Sequence, residues 1–335
     1  KTETHEDVAK QYVYELESRS FLNDFLKFGS FCRFKMHDLA HDLALFVAKD
    51  ECLLINSHIQ NIPENIRHLS FAEYNFLGNS FASISVAVRT IVFPNGAKGA
   101  NVPALLNTCV SKFKLLRFLD LSDSTCKSLP SIGKLKHLRY FSIARNPNIK
   151  RLPNSICKLQ NLQLLNVLGC KELEALPKGL RKMISLRHVE ITTKQPVLPY
   201  SEITNLISLT YLSIISSHNM ESIFGGVKFP TLKALFVGDC DSLKSMPLDV
   251  TNFPELETLS VDGCVNLDLD LWKDHHEQQN PKLKLKLVVF WDLPQLVALP
   301  QWLQETANSL QTLIIIKCDN LEMLSEWLST LTNLK

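Results

Sequence analysis

The fold class the sequence predicts is an α/β solenoid of short parallel strands with an irregular, 3-10-rich convex side, preceded by a partial winged-helix α+β unit. Three observations predict it. The first is a leucine schedule. The template L-x-x-L-x-L starts at Leu116, Leu138, Leu162, Leu186, Leu209, Leu232, Leu256, Leu285, Leu310 and, cut short, Leu334. Successive starts lie 22, 24, 24, 23, 23, 24, 29, 25 and 24 residues apart. A period in the twenties with apolar residues at offsets 0, 3 and 5 is the pattern of a leucine-rich repeat, in which each turn adds one strand and buries its apolar side by stacking on the next. The second observation lies at offset 8, where the chain must turn off the strand: Asn146 in one unit and Cys170, Cys240, Cys264 and Cys318 in four others. Small polar or thiol side chains fit such an inward corner. The third lies at offset 14, where Leu152-Pro153, Leu176-Pro177, Met246-Pro247 and Leu299-Pro300 recur, with Leu129-Pro130 one residue early. Proline fixes φ and lacks an N–H, which suits an extended convex side and argues against a long helix there.

Residues 1–50 have a different rhythm and form the partial winged-helix unit. Val8, Tyr12 and Leu16, with Ala9 and Val13 off the strict spacing, give an amphipathic helix over His5 to Ser18. Phe21 to Leu26 and Phe31 to Met36 flank the turn Lys27-Phe28-Gly29-Ser30 and read as a hairpin or wing. His37 to Ala48 returns to a helical period, with Leu39, Leu43, Phe46 and Val47 as its apolar face. Residues 51–110 read as irregular opening repeats and linker. Ile66, Leu69 and Phe71 fit offsets 0, 3 and 5, as do Val88, Ile91 and Phe93, while Pro94 to Gly99 should loop out. The regular repeat domain occupies 111–335 and stops at Leu331-Thr332-Asn333-Leu334-Lys335 as a new strand would begin. No polar cap is visible there, so the expectation is a fragment truncated at both ends.

Composition excludes several classes of function. A net charge of +2 over 335 residues gives no strong pull towards nucleic acid or a membrane surface. No apolar run reaches the roughly 18 residues of a spanning helix, and Lys1-Thr2-Glu3-Thr4-His5 is no secretory signal. Four of the nine cysteines fall at one equivalent corner, which points to reduced thiols in an apolar interior, with Cys240 and Cys264 brought close by neighbouring turns. The expected compartment is therefore reducing, the cytoplasm or nucleus.

Function should lie on the concave side, which receives offsets 1, 2, 4, 6 and 7. At offset 2, Phe118, Tyr140, Leu164, His188 and Tyr211 should form a stripe across strands roughly 5 Å apart, joined later by Phe236 and Trp291. Exposed aromatic rows are candidate binding anchors. Arg117, Arg139 and Arg187 recur at offset 1 beside that stripe, with Arg145 near them, whereas Asp239, Glu257, Asp262 and Asp292 lie in later repeats. The early face is expected to be basic and the later one acidic, able to dock two different protein partners. The bland reading of the arginines is that their stems cover apolar strand edges.

One motif outside the repeats carries a resemblance. Phe34-Lys35-Met36-His37-Asp38-Leu39-Ala40-His41-Asp42-Leu43-Ala44 is similar to the Met-His-Asp segment that ends the nucleotide-binding module of plant intracellular immune receptors, the coiled-coil class of nucleotide-binding (NB-ARC) leucine-rich-repeat proteins. The likeness extends through Leu16 to Leu22, Glu51 to Ile55, Ile66 to Ser70 and the Leu-Pro-x-x-Ile-x-x-Leu repeats. It implies that His37 senses the β-phosphate of bound ADP and that Asp38 helps hold the resting state. It also implies a plant defence function. The repeats would recognise a pathogen effector or a guarded host protein and keep the ADP/ATP switch module closed until they do.

The remaining nucleotide-site parts do not occur in this sequence. No G-x-x-x-x-G-K-[ST] loop and no strand ending in paired acids is present, and backbone N–H groups of such a loop are what hold phosphates. The chain itself is thus expected to bind no cofactor and to be no enzyme. A metal site is a minor reading of His37/His41 and Asp38/Asp42, each four apart on the expected helix, and of His275-His276-Glu277 in a polar loop. The alternative to a receptor is a leucine-rich-repeat adaptor or scaffold such as a ubiquitin-ligase substrate receptor.

Overall fold

A computed structural model describes residues 5–28, 31–56, 62–72, 84–93, 96, 102–124, 126–223, 228–246, 252–269 and 283–335. The first unit follows the sequence closely. Helix α1 spans His5–Ser18, strands β1 (Leu22–Phe28) and β2 (Phe31–Met36) pair antiparallel, and helix α2 spans Asp38–Ala48. Phe25 and Phe34 stack across the hairpin at 5.8 Å, and the His37 N–H donates to the Phe21 carbonyl at 2.9 Å. Among the residues of α2 none is buried, and Leu39, Leu43, Phe46 and Val47 are exposed. The expected turn at Gly29-Ser30, most of the expected loop over 94–99, and the whole of His275-His276-Glu277 lie outside the described residues.

The second unit is one parallel sheet of twelve strands in strict chain order. They are β3 (Cys52–Ile55), β4 (His68–Phe71), β5 (Thr90–Val92), β6 (Phe118–Asp120), β7 (Tyr140–Ser142), β8 (Leu164–Val167), β9 (His188–Ile191), β10 (Tyr211–Ile215), β11 (Ala234–Gly238), β12 (Thr258–Asp262), β13 (Leu287–Trp291) and β14 (Thr312–Ile316). The opening segment is more regular than its sequence suggests. β3, β4 and β5 join the same ladder as the later strands, so no break in the sheet falls near residue 110. The 28-residue spacing from Val88 to Leu116 accommodates an α-helix, α3 (Val102–Lys112), whose Val102, Leu105, Leu106 and Cys109 are buried.

Elsewhere the convex side is as irregular as the prolines predict. Short 3-10 turns cover Asn154–Lys158, Leu180–Lys182, Gln301–Thr306 and Glu326–Thr330, and a single α-turn, α4, covers Tyr200–Ile203. Pro153, Pro199 and Pro300 occupy the N-cap positions of three of these, where a missing N–H costs nothing. Just before the Leu-Pro pairs, Arg151 bridges Ala175 and Ala298 bridges Met323 in parallel, a second minor ladder.

Two positions per turn make the stacking possible. At offset 7 the backbone is left-handed in Asp123, Arg145, Gly169, Ser216, Asp239, Gly263, Asp292 and Lys317. Eight of the nine full turns therefore leave the strand by the same kink. The ninth has Thr193 there, and a β-branched residue resists that conformation. Its hydroxyl instead donates to the Leu173 carbonyl at 3.2 Å, while the neighbouring Thr192 hydroxyl donates to that of Ile215 at 2.6 Å.

Offset 8 is the corner. Asn146, fully buried, donates to the carbonyls of Leu121, Ile143 and Ala144 at 3.1, 2.7 and 3.2 Å and accepts from the Ser124 hydroxyl. Cys170 Sγ donates to Ile143 at 3.2 Å, and Cys240 Sγ to Gly238 at 3.3 Å. Ser124 and Ser217 occupy the same position in two turns and are also buried. The corner thus adds side-chain donors to the inward carbonyls around the kink, and that of Leu121 is among them.

The described cysteines are all free thiols, and Cys109, Cys126, Cys157, Cys170, Cys240 and Cys264 are buried. Burial pushes Cys109 up to about 12 and Cys157 and Cys170 up to about 11, so these thiols stay neutral and unreactive at ordinary pH. Alkylation of the folded chain should therefore label the exposed Cys52 and leave Cys109, Cys157 and Cys170 unmodified until urea is added. Peptide mass mapping reads this directly, and fast native labelling of Cys170 would contradict the packed corner.

Candidate binding surface on the concave face

Parallel register carries equivalent offsets into straight rows. His68, Thr90, Phe118, Tyr140, Leu164, His188, Tyr211, Ala234, Thr258, Leu287 and Thr312 are successive partners at offset 2. Alternation along each strand sends this residue and the one at offset 4 to the concave side while offsets 3 and 5 enter the core. Burial follows: Leu116, Leu119 and Leu121 are fully buried, whereas Phe118 and Asp120 are half-buried.

The expected aromatic stripe forms as stacked pairs. Phe118 lies on Tyr140 with ring centroids 3.8 Å apart, His188 on Tyr211 at 3.9 Å, and Phe236 tilts against Tyr211 at 5.1 Å. Phe236 belongs to the offset 4 row and leans across because Ala234 offers no ring at offset 2. The row at offset 4 is polar in its middle. His188 Nε2 meets Glu190 Oε1 at 2.7 Å, Asn166 donates to Glu190 Oε2 at 2.6 Å, and the Ser122 and Ser142 hydroxyls meet at 2.7 Å. Burial, with the Asp120 carboxylate adding to it, pushes the Tyr140 phenol up to about 12, and burial likewise raises Tyr211.

The offset 1 row is longer than the sequence reading had it. Register places Arg67 and Arg89 ahead of Arg117, Arg139, Gln163 and Arg187, and each N–H from Arg89 to Arg187 donates to the carbonyl of the preceding row member at 2.7 to 2.8 Å. Arg67 is paired with Glu51 at 3.1 Å, while Arg89 is half-exposed and Arg117 and Arg139 are exposed. The signal for the two extra arginines was available in the degraded repeats starting at Ile66 and Val88.

Arg145 differs from these. It sits on the offset 7 kink, and its guanidinium grips Asp123 of the previous turn through Nε at 2.8 Å and Nη2 at 2.5 Å. That hydrogen bond holds its pKa above the ordinary arginine value. It clamps two turns together rather than extending a free basic surface.

The expected division into a basic early face and an acidic later face is also less clean than the sequence suggests. Glu257 pairs with Lys286 at 3.0 Å, and Asp120, Asp123 and Glu190 lie in the early half. Opposite charges at equivalent offsets of adjacent turns meet because register forces them together. What remains acidic is the kink row of Asp239 and Asp292 with Asp262 between them. Asp262 is raised by burial first and then by those two carboxylates. Trp291 is exposed beside them, with the Lys317 ammonium 5.9 Å from its ring centre.

In the first unit His37 is the N-cap of α2 rather than a residue within it. Its Nδ1 accepts the Leu39 N–H at 3.2 Å, and Asp38 is in the first turn. The Nδ1 of His37 is thus engaged by the helix backbone. Among the described residues no group of three or more His, Cys, Asp and Glu is placed to hold a metal ion, and no helix is long and apolar enough to cross a membrane.

A twelve-turn parallel solenoid with a ring-lined concave face defines a leucine-rich-repeat protein. The family described as "Leucine-rich repeat region" matches residues 97–335, and that described as "Disease resistance protein Winged helix domain" matches residues 1–44. Disease resistance protein RPP8 of Arabidopsis thaliana is 26% identical over 278 residues, covering 77% of this chain and 30% of the relative. Disease resistance RPP13-like protein 4 of the same plant is 25% identical over 249 residues, covering 71% and 27%. Among solved structures, a chain of the Toll - Spatzle complex of Drosophila superposes with a TM-score of 0.57 at 17% identity, covering 84% of this chain and 37% of that one. That likeness is one of fold.

The chain belongs to the plant nucleotide-binding leucine-rich-repeat disease resistance proteins. It spans less than a third of the length of the curated relatives it matches. Its winged-helix and leucine-rich-repeat regions are non-catalytic.

Proposed function

We propose that the concave face recognises a protein ligand, a pathogen effector or a guarded host protein, and in the resting state holds the receptor's own nucleotide-binding module closed. The observation that carries this reading is the pairing of two exposed arginines, Arg117 and Arg139, with a stacked ring row in a family whose relatives are named disease resistance proteins. Charged groups fix orientation and rate of docking while aromatic anchors supply most of the affinity. Recognition then acts as a population shift, since a ligand that binds better to the released state drives the switch by that difference alone. The working compartment in this reading is the cytoplasm or nucleus.

The cofactor in this reading is ADP or ATP in the full-length receptor, with His37 and Asp38 at the edge of its site. The N-cap bond supports a role for His37. With Nδ1 accepting from Leu39, the proton of the neutral ring sits on Nε2 and leaves a donor for a phosphate oxygen. The test is charge reversal of Arg117 and Arg139 to glutamate in a full-length receptor carrying this chain. Ligand-independent activity is expected to rise, read as cell death in leaf tissue. Unchanged resting activity would remove the docking half of the proposal, and unchanged ligand response after Tyr140→Ala with Tyr211→Ala would remove the recognition half.

A further inference from the structure

We infer that the distal end of the concave face, centred on Trp291, docks a basic segment of the protein partner, with an aliphatic side chain on its exposed apolar patch and an arginine against Asp239, Asp262 and Asp292. The inference deepens the recognition half of the proposed function and rests on it. Its starting point is the width of the sheet. β6 and β7 are three residues long, β8 and β9 four, and β10 to β14 five. The added length brings offset 6 onto the sheet, where alternation turns it to the concave side with offsets 2 and 4. Early turns hold small, buried side chains at that offset, Ala144 and Thr192 among them. In the last turns register instead lines up Gly238, Asp262, Trp291 and Ile316.

Among the described residues of β4 to β14, the exposed large apolar side chains are Trp291, Ile314 and Ile316. They form one patch. Ile316 is the register partner of Trp291, and Ile314, two residues earlier on the same face, is the partner of the half-buried Val289. An exposed indole set among aliphatic side chains has the composition of a binding anchor.

The border of the patch selects the occupant. Asp239 and Asp292 stand on the kinks of their turns, and the turn between them has Gly263 there. A Cβ at Gly263 would meet Asp239 Oδ1 at 2.7 Å, so that carboxylate leans over the next turn. Among the described residues none of the three aspartates forms a salt bridge, and Asp239 has the Ser216 hydroxyl at 3.5 Å. Both outer carboxylates act against the charge of Asp262, and the Lys317 ammonium, which lies 5.9 Å from the indole centre, acts for it. One cation thus faces three carboxylates. The opposite border, at offset 1, has no acidic surplus, because Glu257 is paired with Lys286 and Lys233 is exposed beside them. A cationic group of the partner is therefore directed to the aspartate side. Arginine suits it best, since a planar guanidinium can lie on an indole and present a fork of donors to a carboxylate.

The probe is an N-acetylated, C-amidated pentapeptide, Ala-Arg-Leu-Arg-Ala, titrated into the whole chain and followed by calorimetry and by the indole N–H resonance that Trp291→Phe removes. That resonance is expected to shift. Binding should weaken about tenfold with Trp291→Ala, with the combined Asp239→Asn, Asp262→Asn and Asp292→Asn, or with Ala-Glu-Leu-Glu-Ala as the peptide. Asparagine tolerates the left-handed backbone at 239 and 292, so the triple variant carries the test if Trp291→Ala lowers the melting temperature. Lys317→Asn removes the competing cation and should tighten binding. An unmoved Trp291 resonance, undiminished binding by the folded triple variant, equal binding of the acidic peptide, or weaker binding by Lys317→Asn each overturns the docking site. If the site fails while loss of Tyr140 and Tyr211 still abolishes the ligand response, this inference falls and the recognition reading stands.

Discussion

Replacing Asn146 by leucine is expected to destabilise the solenoid by about 2 to 4 kcal/mol, although the two side chains are nearly the same size. The cost is polar. Asn146 is fully buried and serves three carbonyls with one amide group. Two of the three have second donors, since Ile143 also receives Cys170 Sγ at 3.2 Å and Ala144 receives the Asp123 N–H at 2.8 Å. The amide bond to the Leu121 carbonyl and the acceptor for the buried Ser124 hydroxyl have no replacement when leucine stands at the corner. An orphaned buried polar group costs more than an average hydrogen bond contributes, which sets the lower limit. Asn146→Ser is the informative control, because Ser124 and Ser217 show that serine fits this corner, and it should cost only about 1 kcal/mol. Thermal melts followed by far-ultraviolet circular dichroism separate the two. If leucine and serine prove equally tolerated, the corner's hydrogen bonds are not what holds it.

The repeat schedule was legible because each turn must solve the same packing problem, so leucine at offsets 0, 3 and 5 had to recur. Corner cysteines and convex Leu-Pro pairs were legible for the same reason. The left-handed kink at offset 7 was not. Asp123, Asp239, Asp292 and two glycines are types that tolerate left-handed backbone, but Arg145, Ser216 and Lys317 share the conformation without that chemistry, so the signal was only partial. Strand β3 escaped notice because Cys52–Ile55 is a single short apolar run with no preceding repeat to set its phase. Helix α3 was hidden because a long interval between starts reads equally well as a loop. The register aligns Phe118, Tyr140, Leu164, His188 and Tyr211 in one row as their common offset implies, but the electrostatics of the rows were not legible. The Arg145–Asp123 and Lys286–Glu257 pairs depend on which residues of adjacent turns meet, and only register decides that.

Phe253→Ala is expected to be the most damaging single truncation in the described core, at about 3 to 5 kcal/mol. Phe253 lies three residues before a repeat start, in a buried row with Phe113, Leu135, Leu159, Met183, Leu206 and Phe229. It is fully buried, stacks on Phe229 at 5.6 Å, and its carbonyl receives the Leu256 N–H that closes the turn into β12. Alanine would leave a void between two convex turns that leucines and a rigid sheet cannot collapse to fill. Because each turn contacts only its neighbours, the damage should stay local. Amide exchange is expected to accelerate in β12, β13 and β14 while β6 to β9 keep their protection. Phe253→Leu should cost under about 1.5 kcal/mol, since leucine already holds the equivalent place at 135, 159 and 206. A uniform loss of protection along the whole solenoid would show that the turns unfold as one cooperative block, and the nearest-neighbour account of this fold would then be wrong.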